Sequence, residues 1–295
     1  MASPLAHTFG IWLVALFLQA ILYGMGLLQI YLYFFWYNKD RWSIKATVII
    51  VAILETVQIS TFFSAAWSWL IDGFGDFNNL RFFSWQALAQ LAALYTSTFV
   101  AQTYFASCIY LLHKKSIILP AVIVTLSLVG LGGGLAQVIL AVKLKTFDQL
   151  PHTSAATNTQ AAVALTCDLL ITVGLCWRLN NNRTGIQSTN KLLDFLITTA
   201  INRGVLTMIT ALMNMILFLT QPGTFYFMLS LLISGKLYMN SMLAMLNTRQ
   251  HAVSLHGSTM VDHISMPTLS STSGTASRVI GVSDRTETRN DRDVE

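Results

Sequence analysis

Seven long apolar stretches, separated by short polar loops, constrain this chain more than any other feature of its sequence. Each has about the 20 residues that an α-helix needs to cross a hydrocarbon core about 30 Å thick. With 54% hydrophobic and only 11% charged residues, the chain lacks the polar surface of a soluble domain. The sequence predicts an all-α integral membrane protein, a bundle of seven transmembrane helices. The predicted spans are residues 9–36, 44–71, 85–112, 117–142, 156–177, 195–220 and 225–246.

The basic residues near the ends of these spans fall mostly on one side. Because cytoplasmic loops are enriched in Lys and Arg, we expect the loops after helices one, three and five to be cytoplasmic. Residues 1–8 are then a short extracellular N-terminus, and the C-terminal tail is cytoplasmic. One side carries Lys39, Arg41, Lys45, Lys114, Lys115, Arg178, Arg183, Lys191 and Arg249, and the other carries Arg81, Lys143 and Lys145.

Aromatic residues at the ends of the spans fit belts at the level of the lipid headgroups. The alternative is that they are ordinary lipid-facing bulk. The residues are Trp36, Tyr37 and Trp42 at one interface and Trp67, Trp69 and Trp85 at the other.

The composition changes after residues 9–246, the predicted transmembrane domain. Ser and Thr cluster through residues 265–277, and mixed charges follow to Glu295. Because too little apolar surface is present to offset the entropy of ordering, residues 252–295 are predicted to be a disordered cytoplasmic tail. It is either a phosphorylation-regulated docking segment for a cytoplasmic signalling partner or an unregulated tail.

The net charge of +5 belongs to the membrane portion and its inner loops, since residues 251–295 contain four Arg against six Asp or Glu. A basic balance in that position indicates contact with anionic lipid of the bilayer and not with nucleic acid. We expect a multi-pass protein of the plasma membrane.

Four ionisable residues lie inside the predicted spans, where a charge costs roughly 2.5–3.5 kcal/mol. At 1.5 Å per residue, Glu55 lies about 17 Å and Lys236 about 15 Å from the cytoplasmic ends of their helices. In a ring closed in sequence order, helix one alone separates helices two and seven, so we expect these two residues to pair. Asp168 and Arg203, on neighbouring helices and both about 12–15 Å deep, form the second predicted pair.

Each charge has polar neighbours on the same helix face. Gln58 follows Glu55 by three residues, and Asn240 follows Lys236 by one turn. The pattern predicts a polar central cavity for an unknown small ligand. Its alternative is interhelical hydrogen bonding that only holds the bundle together, at about 0.6 kcal/mol per group. Helix six carries the longest polar stripe: Arg203, Thr207, Thr210, Asn214 and Gln221.

Signatures of the better-known seven-helix and catalytic classes are missing from the sequence. Lys236 invites a retinal Schiff base, but helix three has no Asp or Glu to act as a counter-ion. Helix three also ends without an acidic-Arg-aromatic triplet, and helix seven lacks an Asn-Pro pair. No metal-ligand cluster or nucleophile–base spacing indicates an enzyme, and we expect no cofactor.

Several segments resemble a fungal, largely basidiomycete, membrane family catalogued as domain of unknown function 6534. The resemblance covers about residues 10–250 and implies a seven-helix membrane protein with no assigned activity or site residues. Arg203 departs from the family, where a small or polar residue is expected. The first half contributes Leu22-Tyr23-Gly24, Gln29-Ile30-Tyr31-Leu32-Tyr33-Phe34, Tyr37-Asn38-Lys39-Asp40-Arg41-Trp42, Lys45 and Leu54-Glu55-Thr56-Val57. The second half contributes Thr189-Asn190-Lys191-Leu192-Leu193-Asp194, Ile201-Asn202-Arg203-Gly204 and the run from Lys236-Leu237-Tyr238-Met239-Asn240 to Thr248-Arg249.

Two functional classes remain open from the sequence. A receptor-like signal transducer explains the outside N-terminus, the basic inner loops, the polar cavity and the hydroxyl-rich tail. A small-molecule or ion transporter or channel explains the charges at membrane depth directly.

Overall fold

The computed structural model describes residues 9–75, 82–112, 116–183, 187–221, 224 and 226–254. These residues contain seven long α-helices. A π-helix, Ser68–Asp72, continues the second of them, and a 3-10 helix, Phe147–Thr153, leads into the fifth. The seven are α1 Phe9–Trp36, α2 Trp42–Trp67, α3 Trp85–Leu112, α4 Ile118–Leu144, α5 Ser154–Asn181, α6 Gln187–Thr220 and α7 Tyr226–Ser254.

Two helices extend well beyond the apolar stretches that predicted them. α6 begins at Gln187 and not at residue 195, and α7 ends at Ser254 and not at residue 246. Residues such as Gln, Lys and Leu are good helix formers, so a helix continues past the membrane without apolar side chains. The tail boundary predicted at residue 252 therefore falls inside α7. The rest of the predicted tail, residues 255–295, and the predicted extracellular segment 1–8 lie outside the described residues.

Six of the helices are long and apolar enough to cross a membrane: α1, α2 with its π-helix, α4, α5, α6 and α7. The described part of the chain is thus all-helical, and the protein is of the multi-pass membrane type. α3 is not among the six. It has Gln86, Gln90 and Gln102 among its residues, and most of its side chains are buried by other helices and not turned toward lipid.

The helices close into a ring in sequence order, because each packs on the next and α7 packs on α1. α3 also contacts α5 and α7, which places it in the interior of the ring. α2 touches α7 directly. The ring order on which the predicted pairing of helices two and seven depended is therefore present.

Two apolar clusters fill the interior at different levels along the helices. One includes Tyr33, Val51, Phe105 and Leu175. The other contains Trp12, Phe62, Leu94 and Leu232, toward the N-terminal end of α1. On α2, α3 and α7, buried polar residues lie between these levels, and two more lie next to the first cluster on α5 and α6. We call this zone the polar layer: Glu55, Gln58, Ser97, Gln102, Asp168, Arg203 and Lys236.

The aromatic residues predicted to form belts do not all face outward. Trp42, Trp67 and Trp85 are mostly exposed on the helix surface, but Trp69 is 3% exposed. It lies in the π-helix after α2, and its ring packs edge-on against Trp12 with centroids 4.5 Å apart. Trp69 therefore packs inside the protein and does not face outward as a belt residue would.

Candidate functional site

Glu55 of α2 and Lys236 of α7 form a fully buried ion pair, which we call the α2–α7 pair. The Lys236 ammonium donates to Glu55 Oε2 at 2.5 Å, to Gln58 Oε1 at 2.8 Å and to the Glu55 carbonyl at 3.3 Å. Ser97 Oγ of α3 donates to Glu55 Oε1 at 2.6 Å. Because an ammonium has three protons, every donor of Lys236 has an acceptor.

Local sequence explains how these groups meet. Glu55 and Gln58 are three residues apart and share one face of α2. Next to Lys236, a Cβ on Gly235 would overlap a methyl carbon of Leu94. Glycine therefore lets α7 approach α3 closely enough for the lysine to reach its partners.

Asp168 of α5 and Arg203 of α6 form a second buried ion pair, the α5–α6 pair. Arg203 Nη2 lies 3.2 Å from Asp168 Oδ1, and the Tyr238 hydroxyl of α7 donates to Asp168 Oδ2 at 2.6 Å. The guanidinium also stacks 3.9 Å above the Phe105 ring centroid, a cation–π contact. Beside it, Gly204 leaves no space for a Cβ against the Thr172 side chain.

The two pairs are connected through α7. Lys236 and Tyr238 are two residues apart on this helix and therefore point to opposite sides of it. One side joins α7 to α2 and α3, and the other joins it to α5 and α6. α7 is thus the helix that both pairs hold.

The structure places Asn214 and Asn240, also predicted for the polar cavity, in different surroundings. Asn240 lies in the seam between α7 and α1, where its amide nitrogen donates to the Leu22 carbonyl at 2.9 Å and its oxygen accepts from Gln29 at 3.1 Å. Asn214 is 3% exposed and lines a cavity between helices. On the same stripe of α6, Thr207 is buried as well, whereas Gln221 is exposed.

The cavity lies between α3, α5, α6 and α7, beside the polar layer. Its space for the centre of a water molecule is about 20 Å³, enough for one or two waters. A second, smaller void of about 10 Å³ lies between α3, α4 and α5, and Gln160 lines both. The polar side chains of the first cavity include Tyr95, Gln160, Thr207, Thr210, Asn214 and Ser234.

Sequence reasoning missed Tyr238 as a site residue, although Asp168 accepts its shortest described hydrogen bond from it. A comparison of depths could have found Tyr238, because it lies within one helical turn of Lys236 and at the level of Asp168. The prediction considered only charged partners at that depth.

The arrangement is one of mutual neutralisation. Each carboxylate has a basic partner and a hydroxyl donor, and such buried pairs are strongly destabilised when one partner is lost. Among the described residues, no group of three or more His, Cys, Asp or Glu is placed to hold a metal ion. Chemically, the site is suited to holding helices in register.

The fold and the polar layer define an all-helical, multi-pass membrane protein with two internal ion pairs. A family model described as a family of unknown function, DUF6534, matches residues 164–251. That segment runs from within α5 into α7 and contains Asp168, Arg203, Lys236 and Tyr238. No curated protein and no solved structure matches the chain. The match supports the resemblance to domain of unknown function 6534 over the second half of the bundle.

Proposed function

We propose that this protein is a receptor-like signal transducer in which α7 is the helix that moves. The observation that carries the proposal is the attachment of α7 to two ion pairs on opposite sides, through Lys236 and Tyr238. A signalling helix needs two discrete arrangements with a barrier between them. Buried ion pairs supply such a barrier, because a half-broken pair leaves an uncompensated charge.

The proposal includes seven transmembrane spans, with α3 as the span enclosed by the others. α3 has 28 residues, about 42 Å of helix, which exceeds a hydrocarbon core of about 30 Å. Its glutamines face other helices, as at Gln90 and Gln102, both nearly fully buried. A span shielded from lipid does not need a strongly apolar composition, so low hydropathy is compatible with crossing.

We place the protein in the plasma membrane, with its N-terminus outside the cell and the C-terminal end of α7 in the cytoplasm. The excess of basic residues at the predicted inner loops supports it. A cytoplasmic signalling partner would then meet those loops and the predicted tail. The family resemblance further favours a fungal, basidiomycete source.

The energetics fit a switch. To move a two-state equilibrium from 1:99 to 99:1 takes about 5.5 kcal/mol of differential binding. Breaking one buried pair by removing a partner costs about 3–5 kcal/mol. Movement of α7 separates Lys236 from Glu55 and breaks the Tyr238 hydrogen bond to Asp168. The combined cost is of the size that the differential binding of a ligand can offset.

The test is activation of a heterotrimeric G protein by the purified chain in lipid nanodiscs. We expect Lys236→Met and Asp168→Asn to raise nucleotide exchange above the basal level, because each releases one side of α7. Lys143→Met, at an exposed position near the end of α4, is the matched control and should leave exchange unchanged. No exchange by the native protein or by either variant would count against a G-protein-coupled receptor role.

A small-molecule or ion carrier is the second candidate, and the charges at membrane depth favour it. The test is flux of substrates into proteoliposomes. Flux that disappears in Glu55→Gln and Lys236→Met, but persists in the Lys143→Met control, would favour the carrier over the receptor.

A further inference from the structure

Three hydroxyl groups that line the cavity between α3, α5, α6 and α7 donate their protons to backbone carbonyls of their own helices. Thr207 Oγ1 donates to the Arg203 carbonyl at 3.0 Å, and Thr210 Oγ1 donates to the Thr207 carbonyl at 2.9 Å. Ser234 Oγ donates to the Leu231 carbonyl at 2.6 Å. Since a hydroxyl has one proton, these groups present acceptor lone pairs to the cavity.

Asn214 adds an unsatisfied acceptor to the same lining. Its side chain is 3% exposed, and its Oδ1 has no hydrogen-bond partner among the described residues. A buried carbonyl oxygen without a donor is costly, and lipid cannot supply one. The occupant of this cavity must therefore donate hydrogen bonds.

Size and charge identify the occupant. The cavity has about 20 Å³ for the centre of a water molecule and the adjoining void about 10 Å³, which together hold about two or three waters. No carboxylate lines the cavity among the described residues, and Asp168, which accepts from the lining residue Tyr238, is already compensated by Arg203. A bare cation would find no net negative charge to offset its dehydration.

We propose that the two voids hold ordered water and that Gln160, which lines both, joins them into one hydrogen-bonded network. At one end the network satisfies Asn214. At the other end it reaches Gln102, which lines the second void and lies 3.5 Å from the Tyr238 hydroxyl. The waters thus link Asn214 of α6 to Tyr238, whose hydroxyl donates to Asp168. This link is additional to the direct contact between Arg203 and Asp168, and its hydrogen bonds can exchange. This inference holds whether the protein signals or transports.

The test is Ala211→Val, because Ala211 lines the first cavity and two added carbons take the place of about one or two waters. Displacing the water leaves Asn214 Oδ1 without a hydrogen-bond donor, so we expect the melting temperature to fall by about 3–8 °C. Ala162→Val, on the exposed side of α5, is the matched control for placing a β-branched residue in a helix. A rise in melting temperature for Ala211→Val would mean that the cavity is dry and would overturn the proposal.

A second measurement does not depend on that variant folding. A high-resolution map of the native protein should show density within hydrogen-bond distance of Asn214 Oδ1, and this density should be lost in Asn214→Leu. The absence of density in the native map would refute a bound water. A melting temperature that rises with Na⁺ but not with choline, and only when Asn214 is present, would instead show a cation site and overturn the proposal.

Discussion

Replacing Lys236 with Met removes the positive half of the α2–α7 pair and keeps a side chain of similar length. In the native protein the ammonium lies 2.5 Å from Glu55 Oε2, and neither side chain is exposed. At that separation the gross attraction is about 7 kcal/mol for an effective dielectric constant of about 20. Desolvation offsets part of it, so we expect Lys236→Met to lower the free energy of unfolding by about 3–5 kcal/mol, the cost of an uncompensated buried carboxylate.

The reciprocal variant, Glu55→Gln, should cost a similar amount because it leaves the ammonium without a counter-charge. The double variant removes both charges, and we expect it to lose much less than the two single variants together. The assay is reversible unfolding by sodium dodecyl sulfate in mixed micelles. Lys143→Met is the exposed control and should stay within about 0.5 kcal/mol of the native protein. Single losses below about 1 kcal/mol, or strictly additive losses, would show that the two residues do not interact.

Three further predictions concern the second pair, the helix packing and the orientation. Tyr238→Phe should lower the free energy of unfolding by about 1.5–3 kcal/mol, because it removes a buried hydrogen bond to a carboxylate, whereas the control Tyr23→Phe removes an exposed hydrogen bond and should cost under about 1 kcal/mol. Equal losses on chemical unfolding would contradict the proposed role of Tyr238 in holding α7 to Asp168. Gly204→Ala should destabilise the protein by about 1–3 kcal/mol, because the Thr172 side chain of α5 fills the space that the added methyl group needs, whereas the control Gly132→Ala meets open space and should be neutral or stabilising by up to about 1 kcal/mol. A lower melting temperature for Gly132→Ala than for Gly204→Ala would refute the close α5–α6 approach. Asn182-Arg183-Thr184 is an N-glycosylation sequon in the loop proposed to be cytoplasmic, so Asn182 should carry no glycan in protein from eukaryotic cells. A glycosidase-sensitive mass shift there would invert the orientation.

The charged part of the site was accessible to sequence reasoning because charges at membrane depth are costly and therefore few. Glu55, Lys236, Asp168 and Arg203 could be matched by their depth and by the order of the helices in a closed ring, and the structure brings each predicted pair together. Whether the polar layer has a function beyond holding the helices stays a prediction.

The neutral partners were harder to identify because they depend on the rotation of each helix about its own axis. Ser97 and Tyr238 are common residue types in apolar helices, and one sequence does not fix which neighbour each faces. Asn240 illustrates the limit, since it lies one turn from Lys236 but bonds to α1. α3 illustrates a second limit of sequence reasoning. Its glutamines lower the mean hydropathy of the helix, and the sequence does not reveal that other helices cover Gln90 and Gln102.

The two-residue separation of Lys236 and Tyr238 has a mechanical consequence for α7. Their side chains leave the helix about 200° apart, so a twist of α7 sweeps both of them sideways at once. At a radius of about 5–6 Å, a twist of about 20° moves each attachment point by about 2 Å, enough to break hydrogen bonds of 2.5 and 2.6 Å. The two contacts therefore resist rotation of α7 about its axis, and any force that turns the helix must release both of them together.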